Sequence, residues 1–187
     1  MSKREFKPGN MLYPVPPVLV SVADKKGNTN LITIAWTGTI SSDPAMLYIS
    51  VRKSRHSHHM ITESGEFVVN LATEEILKAV DLCGVKSGAK EDKWKLSGLN
   101  PELALNVGAP LVKESPVNIE CKVTQVLELG SHDMFLAEVV AVDVDEKYFD
   151  ENDRFDLNKA KLVAYSHGEY MALGEVLGKF GYSVKKK

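Results

Sequence analysis

The chain has 187 residues, 44% hydrophobic and 26% charged, a composition typical of a soluble globular protein. Its formal net charge of -2 gives no global attraction to nucleic acid or to an anionic membrane, and two cysteines, Cys83 and Cys121, cannot form a disulfide framework or a four-thiolate metal site. The sequence shows neither a signal peptide nor an apolar run of the roughly 20 residues that cross a bilayer. We therefore expect a cytoplasmic protein with no membrane or nucleic-acid partner, formed by one domain over residues 1–187 with short tails outside a core of about residues 14–174.

Three strand patterns occupy the first third of the chain. Val18–Val22 is apolar, and a turn over Lys25–Asn28, in which Gly27 can take a positive φ, connects it to Leu31–Trp36. A third pattern, Met46–Val51, follows the chain break at Asp43-Pro44. The second and third strands are apolar at nearly every position, so we expect both faces of each to be covered.

The strongest strand pattern lies in the second half of the chain. Residues 117–124 alternate between apolar and polar side chains, and the turn Gly130–Asp133 connects them to the apolar run Met134–Val144. This arrangement predicts a long antiparallel hairpin with one buried face. Shorter strands are predicted at Phe67–Leu71 and Lys161–Tyr165.

Two helices are predicted between these strands. One spans Ser57–Ser64 and stops at Gly65; the other begins at a Thr73 cap, carries two glutamates in its first turn and ends before Gly84. The second helix has a buried stripe formed by Ile76, Val80 and Cys83. Because antiparallel strands dominate and no regular βαβ alternation occurs, the sequence predicts a mainly β fold, a closed or split β-barrel with peripheral short helices.

A basic segment connects the third strand to the first helix. A strand end followed by a helix N-terminus offers backbone N–H groups and a positive dipole end, which suit a phosphate. Side chains in the segment add positive charge and hydroxyl groups: Arg52, Lys53, Ser54, Arg55 and Ser57. The alternative is a solvated basic turn with a serine cap. His56, His58 and His59 lack a nearby carboxylate or cysteine and do not share one helical face, so we predict no metal site.

A possible slot for a planar ligand follows the second strand. Trp36 offers an aromatic wall, Thr37 adds a polar group, and Gly38 lets a ring approach the backbone. The alternative is that Trp36 is a core residue of the barrel. Motifs for dinucleotide-binding, P-loop, zincin and α/β-hydrolase sites are missing from the sequence, which argues against those enzyme classes.

Several short motifs occur together from about Pro14 to Gly174. They are Asn28-x-Asn-x-x-Thr-x-Ala-Trp36, Ser41-x-Asp-Pro44, Ile49-Ser-Val-Arg52, Gly65-x-Phe-Val-Val-Asn-Leu71, Ser87-Gly88 with Asp92-Lys93, and His167-Gly-x-Tyr-x-x-Leu-Gly174. In their order and spacing the chain resembles flavin reductase-like proteins with the FMN-binding split barrel, and in particular the flavoredoxin-like branch.

The resemblance implies that FMN is held non-covalently near the interface of a homodimer. It implies FMN contacts from Asn30, Trp36, Ser57, Lys93, His132 and Tyr165. Backbone at Ala35, Trp36, Thr37 and Gly38 and at Ser50, Val51 and Arg52 would frame the isoalloxazine ring and the ribityl chain. Weaker candidates are Asn70, Leu71 and Ala72. Ser54, Arg55 and Ser57 would bind the phosphate.

The resemblance also implies an oxidoreductase. Bound FMN would pass hydride or electrons from NAD(P)H or a redox protein to an acceptor. The alternatives are a non-catalytic electron carrier between proteins and a flavin-free barrel. We expect Lys93, in a polar segment beside Asp92, to stay solvated and to act electrically on the N1–C2 edge of the ring. His132, at a hairpin tip, would bond the flavin or substrate, or simply be a satisfied surface histidine.

Overall fold

The computed structural model describes residues 2–184, in which a seven-stranded antiparallel sheet is flanked by three short α-helices. The elements are β1 Val18–Ala23, β2 Thr29–Ile34, β3 Thr37–Ser42, β4 Ala45–Val51, α1 His56–Ser64, β5 Glu66–Leu71, α2 Leu77–Val85, α3 Lys93–Ser97, β6 Pro101–Glu102, β7 Leu111–Val112, β8 Val117–Glu128, β9 Asp133–Val144, β10 Val163–Ser166 and β11 Glu169–Ala172. Short 3-10 turns span Glu146–Tyr148, Leu157–Ala160 and Tyr182–Val184.

The large sheet curls because its two edge strands are consecutive in the chain. The strand order is β2-β1-β5-β8-β9-β4-β3, and only Ala35 and Trp36 separate β2 from β3. The two edges must therefore come together. The backbone N–H of Ser50 in β4 donates to the Trp36 carbonyl at 2.9 Å, which extends the β3–β4 pairing by one residue into the connection. Within residues 2–184 β2 pairs with neither β3 nor β4, and this gap is the split of the predicted split β-barrel with peripheral helices, which is confirmed.

Alternate side chains of the strands fill the barrel. Inward-pointing residues of β1 pack with those of β2, β4, β5 and β9, and α1 closes one end with Met60 and Ile61. This period-two burial follows from the strand pleat. The largest fully buried members include Phe67, Phe135 and Ile49.

A second apolar layer lies outside β1 and β2. Leu19 and Leu31 point away from the barrel and pack beneath α2 and its neighbours, so both strands are covered on both faces. The predicted stripe of α2 is confirmed, since Ile76, Val80 and Cys83 belong to this layer. The outer face of β4 is only partly covered within residues 2–184, where its residues alternate between buried and partly exposed; the predicted cover by further protein or ligand stays a prediction.

Most predicted elements are confirmed, with two corrections. The helix α2 begins at Leu77 rather than at a Thr73 cap, because Thr73 pairs with Leu162 in a β-bridge and the Glu74 N–H donates to the Lys161 carbonyl at 3.0 Å. Gly84 consequently lies inside the helix. The strand β3 is missed by the sequence pattern, because five of its six residues are small or polar and none is buried at this edge of the sheet.

The predicted turns and hairpin are observed. Gly27 and Gly65 both have positive φ, at 83° and 71°, and Gly65 ends α1. The long hairpin of β8 and β9 closes where Leu129 N–H donates to the His132 carbonyl at 3.0 Å. Among residues 2–184 we find no helix with the length and apolarity needed to span a bilayer.

Asn70 connects four parts of the fold through its amide. The side chain is fully buried, and Nδ2 donates to the Leu19 carbonyl at 3.1 Å and to Ser21 Oγ at 3.0 Å. Oδ1 accepts from the Val112 N–H at 2.9 Å and from Asn118 Nδ2 at 2.7 Å. These bonds link β5 to β1, β7 and β8. The Asn70 side chain, which the sequence suggested for cofactor contact, is therefore hydrogen-bonded within the protein core.

We expect Asn70→Ala to lower the free energy of unfolding by about 2–4 kcal/mol, because the Val112 N–H and the Asn118 amide lose their buried acceptor. Urea unfolding followed by circular dichroism measures the change. Asn152→Ala, at an exposed position, is the control and should change stability by less than about 0.5 kcal/mol. Equal stabilities of the two variants would contradict the structural role.

Candidate functional site

Two cavities meet at the split of the barrel. The larger, about 450 Å³, lies between β2 and β4, and the smaller, about 90 Å³, lies beside the start of α1. Ile32, Arg55 and Gly84 line both. A ligand with two chemically different ends could therefore occupy both cavities.

Aromatic rings form the walls of the larger cavity. The Trp36 ring lies against the His132 ring, with centroids 4.5 Å apart and planes inclined by 40°. On the opposite side Tyr165 contacts Tyr170, with centroids 5.3 Å apart, and Tyr13 approaches Tyr165 edge-on at 6.4 Å. Ala35 and Ser50–Arg52 line the floor between them. Such a slot suits a planar ring system.

Tyr170 is fixed at the rim of this cavity by α2. Its hydroxyl donates to Asp81 Oδ1 at 3.2 Å. Burial, followed by the neighbouring Asp81 carboxylate, raises the pKa of Tyr170 to about 12. The phenol therefore stays protonated at neutral pH and remains a hydrogen-bond donor.

The smaller cavity combines a helix N-terminus with hydroxyl, amide and amine groups. Ser57 is almost completely buried in the first turn of α1, and its Oγ accepts from Asn30 Nδ2 at 2.8 Å. Within residues 2–184 no side chain caps this nine-residue helix, so its first N–H groups can serve an anion. Ser54, Arg55 and Lys93 also line this cavity.

A close backbone approach keeps Asn30 in place. A Cβ at Gly88 would lie 2.3 Å from Asn30 Oδ1, which no side chain can tolerate while Asn30 is held by Ser57. Glycine at position 88 therefore allows the loop after α2 to pack directly on the amide.

The basic side chains create a positive potential over both cavities. Burial, followed by the nearby Arg52 and Arg55, lowers the pKa of His132. Burial, followed by His59 and Lys93, lowers the pKa of His56. These shifts favour the neutral form of both rings.

Comparison with known proteins agrees with this geometry. The family model of the flavin reductase like domain matches residues 11–174. An uncharacterized protein of Archaeoglobus fulgidus is 37% identical over 131 residues, which are 70% of this chain and 73% of that protein. The chain belongs to the flavin reductase like family. Members of this family bind flavin, and the two-ended site has the chemistry that a flavin nucleotide requires.

Solved structures show the same split-barrel fold. Flavoredoxin of Desulfovibrio vulgaris (Miyazaki F) has a TM-score of 0.90 and 32% identity, with 98% of this chain and 100% of that chain covered. Flavoredoxin from Methanosarcina acetivorans has a TM-score of 0.89 and 27% identity, with 98% and 97% covered. The likeness therefore extends over almost the whole chain.

Most site residues predicted from the sequence line one of the two cavities of this flavin reductase-like protein. The larger one holds Ala35, Trp36, Ser50, Val51, Arg52, Arg55, His132 and Tyr165. The smaller one holds Asn30, Ser54, Arg55, Ser57 and Lys93. The sequence did not lead us to propose Tyr13, Asp81, Gly88 or Tyr170 as site residues. Gly88 and Tyr170 lie in motifs that carry the family resemblance, and those motifs could have indicated them.

The other predicted residues line neither of the two cavities. The Thr37 hydroxyl donates to the Tyr48 carbonyl at 2.6 Å. A Cβ at Gly38 would lie 3.1 Å from the Tyr48 ring, so the glycine makes room for Tyr48. Like Asn70, Ala72 is buried in the protein core, and Leu71 packs against the core of the barrel.

The expectation of a solvated Lys93 is wrong. The side chain is only 4% exposed, and its Nζ donates to the carbonyls of Leu31 and Cys83, both at 2.8 Å. Lys93 lines the smaller cavity with Ser57, whereas Trp36 and His132 line the larger one. Burial, the largest cause, lowers its pKa to about 8. The amine therefore lies beside Ser57 and the N-terminus of α1.

We expect the lowered pKa of Lys93 to make the stability of the ligand-free protein depend measurably on pH. Between about pH 8 and pH 10.5 the unfolded chain holds a proton on Lys93 that the folded chain has released, so stability rises with pH. The slope is at most about 1.4 kcal/mol per pH unit. Lys93→Met should lose this contribution, and the exposed neighbour variant Lys95→Met should keep it. Urea titrations at pH 8 and 10 compare them; identical pH dependence in both would refute the assignment.

Proposed function

We propose that the protein binds FMN non-covalently, with the phosphate in the smaller cavity and the isoalloxazine ring in the larger one. The supporting observation is the junction of an aromatic slot with a cationic pocket through Ile32, Arg55 and Gly84. The combined space falls within the range of ordinary cofactor pockets.

The phosphate end of the site is complementary to a dianion. The N-terminus of α1 offers backbone N–H groups, and Arg55 and the Lys93 amine offer charge. Ser57 already accepts from Asn30, so its own hydroxyl hydrogen is free to bond a phosphate oxygen. A pocket of about 90 Å³ favours a single phosphate group, which supports FMN over FAD.

At the ring end, the protein side chains orient the flavin ring and shield it from solvent, and they do not transfer protons. Trp36 and His132 form one side of the slot, and the neutral imidazole can accept or donate a hydrogen bond. Tyr165 and Tyr170 restrict the opposite side. When bound, FMN supplies the one- and two-electron redox chemistry.

We propose that the protein is an FMN-dependent oxidoreductase of the flavin reductase type, with NAD(P)H or a redox protein as donor. The open side of the larger cavity, bounded by Arg52 and the tyrosines, leaves access to the ring for a donor and an acceptor. The second candidate is a non-catalytic electron carrier, which the similarity to flavoredoxin of Desulfovibrio vulgaris favours.

Two measurements separate these candidates. Flavin released by heat denaturation should be FMN, and release of FAD alone would contradict the phosphate assignment. An enzyme should oxidise NADH or NADPH continuously when free flavin is added. A carrier should reduce only its own bound flavin, with no steady-state turnover of either nucleotide.

We expect Ser57→Ala to weaken FMN binding by about 10- to 150-fold, the effect of removing one hydrogen bond to a charged group. Ser64→Ala is the matched control, because Ser64 lies at the other end of α1 and its Oγ donates to the Met60 carbonyl at 2.9 Å. Fluorescence titration with FMN measures both dissociation constants. Equal constants for wild type and Ser57→Ala would remove Ser57 from the site.

We propose that the protein is a homodimer. The partly exposed outer face of β4 adjoins Trp36 and Ile40, which are 36% and 47% exposed, and Leu177 and Phe180 near the C-terminus are almost fully exposed. A second copy could cover these surfaces with an obligate interface of about 2,000 Å² or more. Light scattering should give about twice the chain mass of 20.6 kDa. A stable 20.6 kDa particle at micromolar concentration would refute the dimer.

A further inference from the structure

A partly buried hydrogen bond connects α1 to the start of β9 and lies outside both cavities. His58 Nε2 lies 2.8 Å from Asp133 Oδ2, and Asp133 is only 5% exposed. Lys53 Nζ lies 3.4 Å from the other carboxylate oxygen and also pairs with the exposed Glu128. We refer to the contacts among Lys53, His58 and Asp133 as the clasp.

The members of the clasp are chain neighbours of the cavity residues. His58 follows Ser57 in α1, and Asp133 follows His132 at the start of β9. Asp133 belongs to the sheet, where it pairs with Val51 and Glu128. His132 lies outside the ladder in the turn between β8 and β9, where its carbonyl accepts from the Leu129 N–H at 3.0 Å and its Nδ1 lies 2.9 Å from Ser131 Oγ.

Packing around His58 fixes this contact further. The His58 ring meets the Phe135 ring edge-on, with centroids 5.3 Å apart. Phe135 is fully buried in the barrel core. The imidazole is therefore held between the core and the Asp133 carboxylate, and α1 cannot move relative to the start of β9 without breaking the hydrogen bond.

We propose that the clasp positions His132 against Trp36 and locks this wall of the slot to the helix that carries Ser57. His58 and Asp133 are positioning residues in this proposal, which rests on the proposed flavin site for its functional meaning. The clasp itself exists in the protein without ligand, so its effect on the His132 ring can be measured in the absence of flavin.

Proton NMR of the flavin-free protein tests the positioning directly. The ring current of Trp36 should shift the His132 imidazole resonance, which is assigned by its loss in His132→Ala. Asp133→Ala should move this resonance towards the position of an exposed histidine. Asp133→Asn, which can still accept from His58, should retain most of the shift. Glu128→Gln is the control, because Glu128 is exposed and pairs with Lys53 outside the clasp.

FMN titration then tests the functional consequence. Asp133→Ala should weaken binding by about 3- to 30-fold in the wild-type background and by less than about 2-fold in a His132→Ala background, since the effect passes through His132. If Asp133→Ala does not fold, His58→Ala is compared in the same two backgrounds, because it breaks the same hydrogen bond.

An unchanged His132 resonance in a folded variant, or an equal loss of affinity in both backgrounds, would overturn the proposal. Failure of the wild-type protein to bind FMN would refute the proposed function, and the NMR comparison would still decide whether the clasp positions His132.

Discussion

The two-residue connection at Ala35 and Trp36 is the constraint on which the site depends. It makes the first and last strands of the large sheet neighbours in the chain, so the sheet can be completed only by curling. The hydrogen bond from the Ser50 N–H to the Trp36 carbonyl continues the β3–β4 pairing into this connection, whereas β2 and β4 are not paired in the large sheet. The backbone of Trp36 is thus held by β4 while its side chain forms a wall of the opening.

Burial of an amine gives the smaller cavity its electrostatic character. Lys93 is removed from solvent, and its two hydrogen bonds go to backbone carbonyls of β2 and α2 rather than to a carboxylate. A buried cation without an anionic partner is costly to the fold. An incoming phosphate would supply the missing countercharge, so the same residue that disfavours the empty state favours the occupied one.

The sequence allowed the fold and the two halves of the site to be predicted because both follow from local patterns. Strand alternation gave the β8–β9 hairpin, and the basic segment after β4 gave the helix N-terminus with Ser57. The errors concern burial and long-range packing. Nothing near Lys93 in the sequence reveals that Leu31 and Cys83 enclose it, and Gly38 is explained only by Tyr48 on the paired strand. Likewise, the polar Asn70 looks like a ligand contact until its partners in three other strands are seen.

The long sequence separations within the site have a consequence for folding kinetics. Asn30 and Ser57 are 27 residues apart, Leu31 and Lys93 are 62 apart, and the His58–Asp133 contact spans 75 residues. Such nonlocal contacts carry a large loop-closure entropy and form slowly, typically in milliseconds to seconds for β-rich domains. The wall of the larger cavity that His132 forms can therefore exist only after the β8–β9 hairpin has docked onto the rest of the barrel. The residues that line the smaller cavity all lie between Asn30 and Lys93, so a nascent chain carries them before it carries that wall.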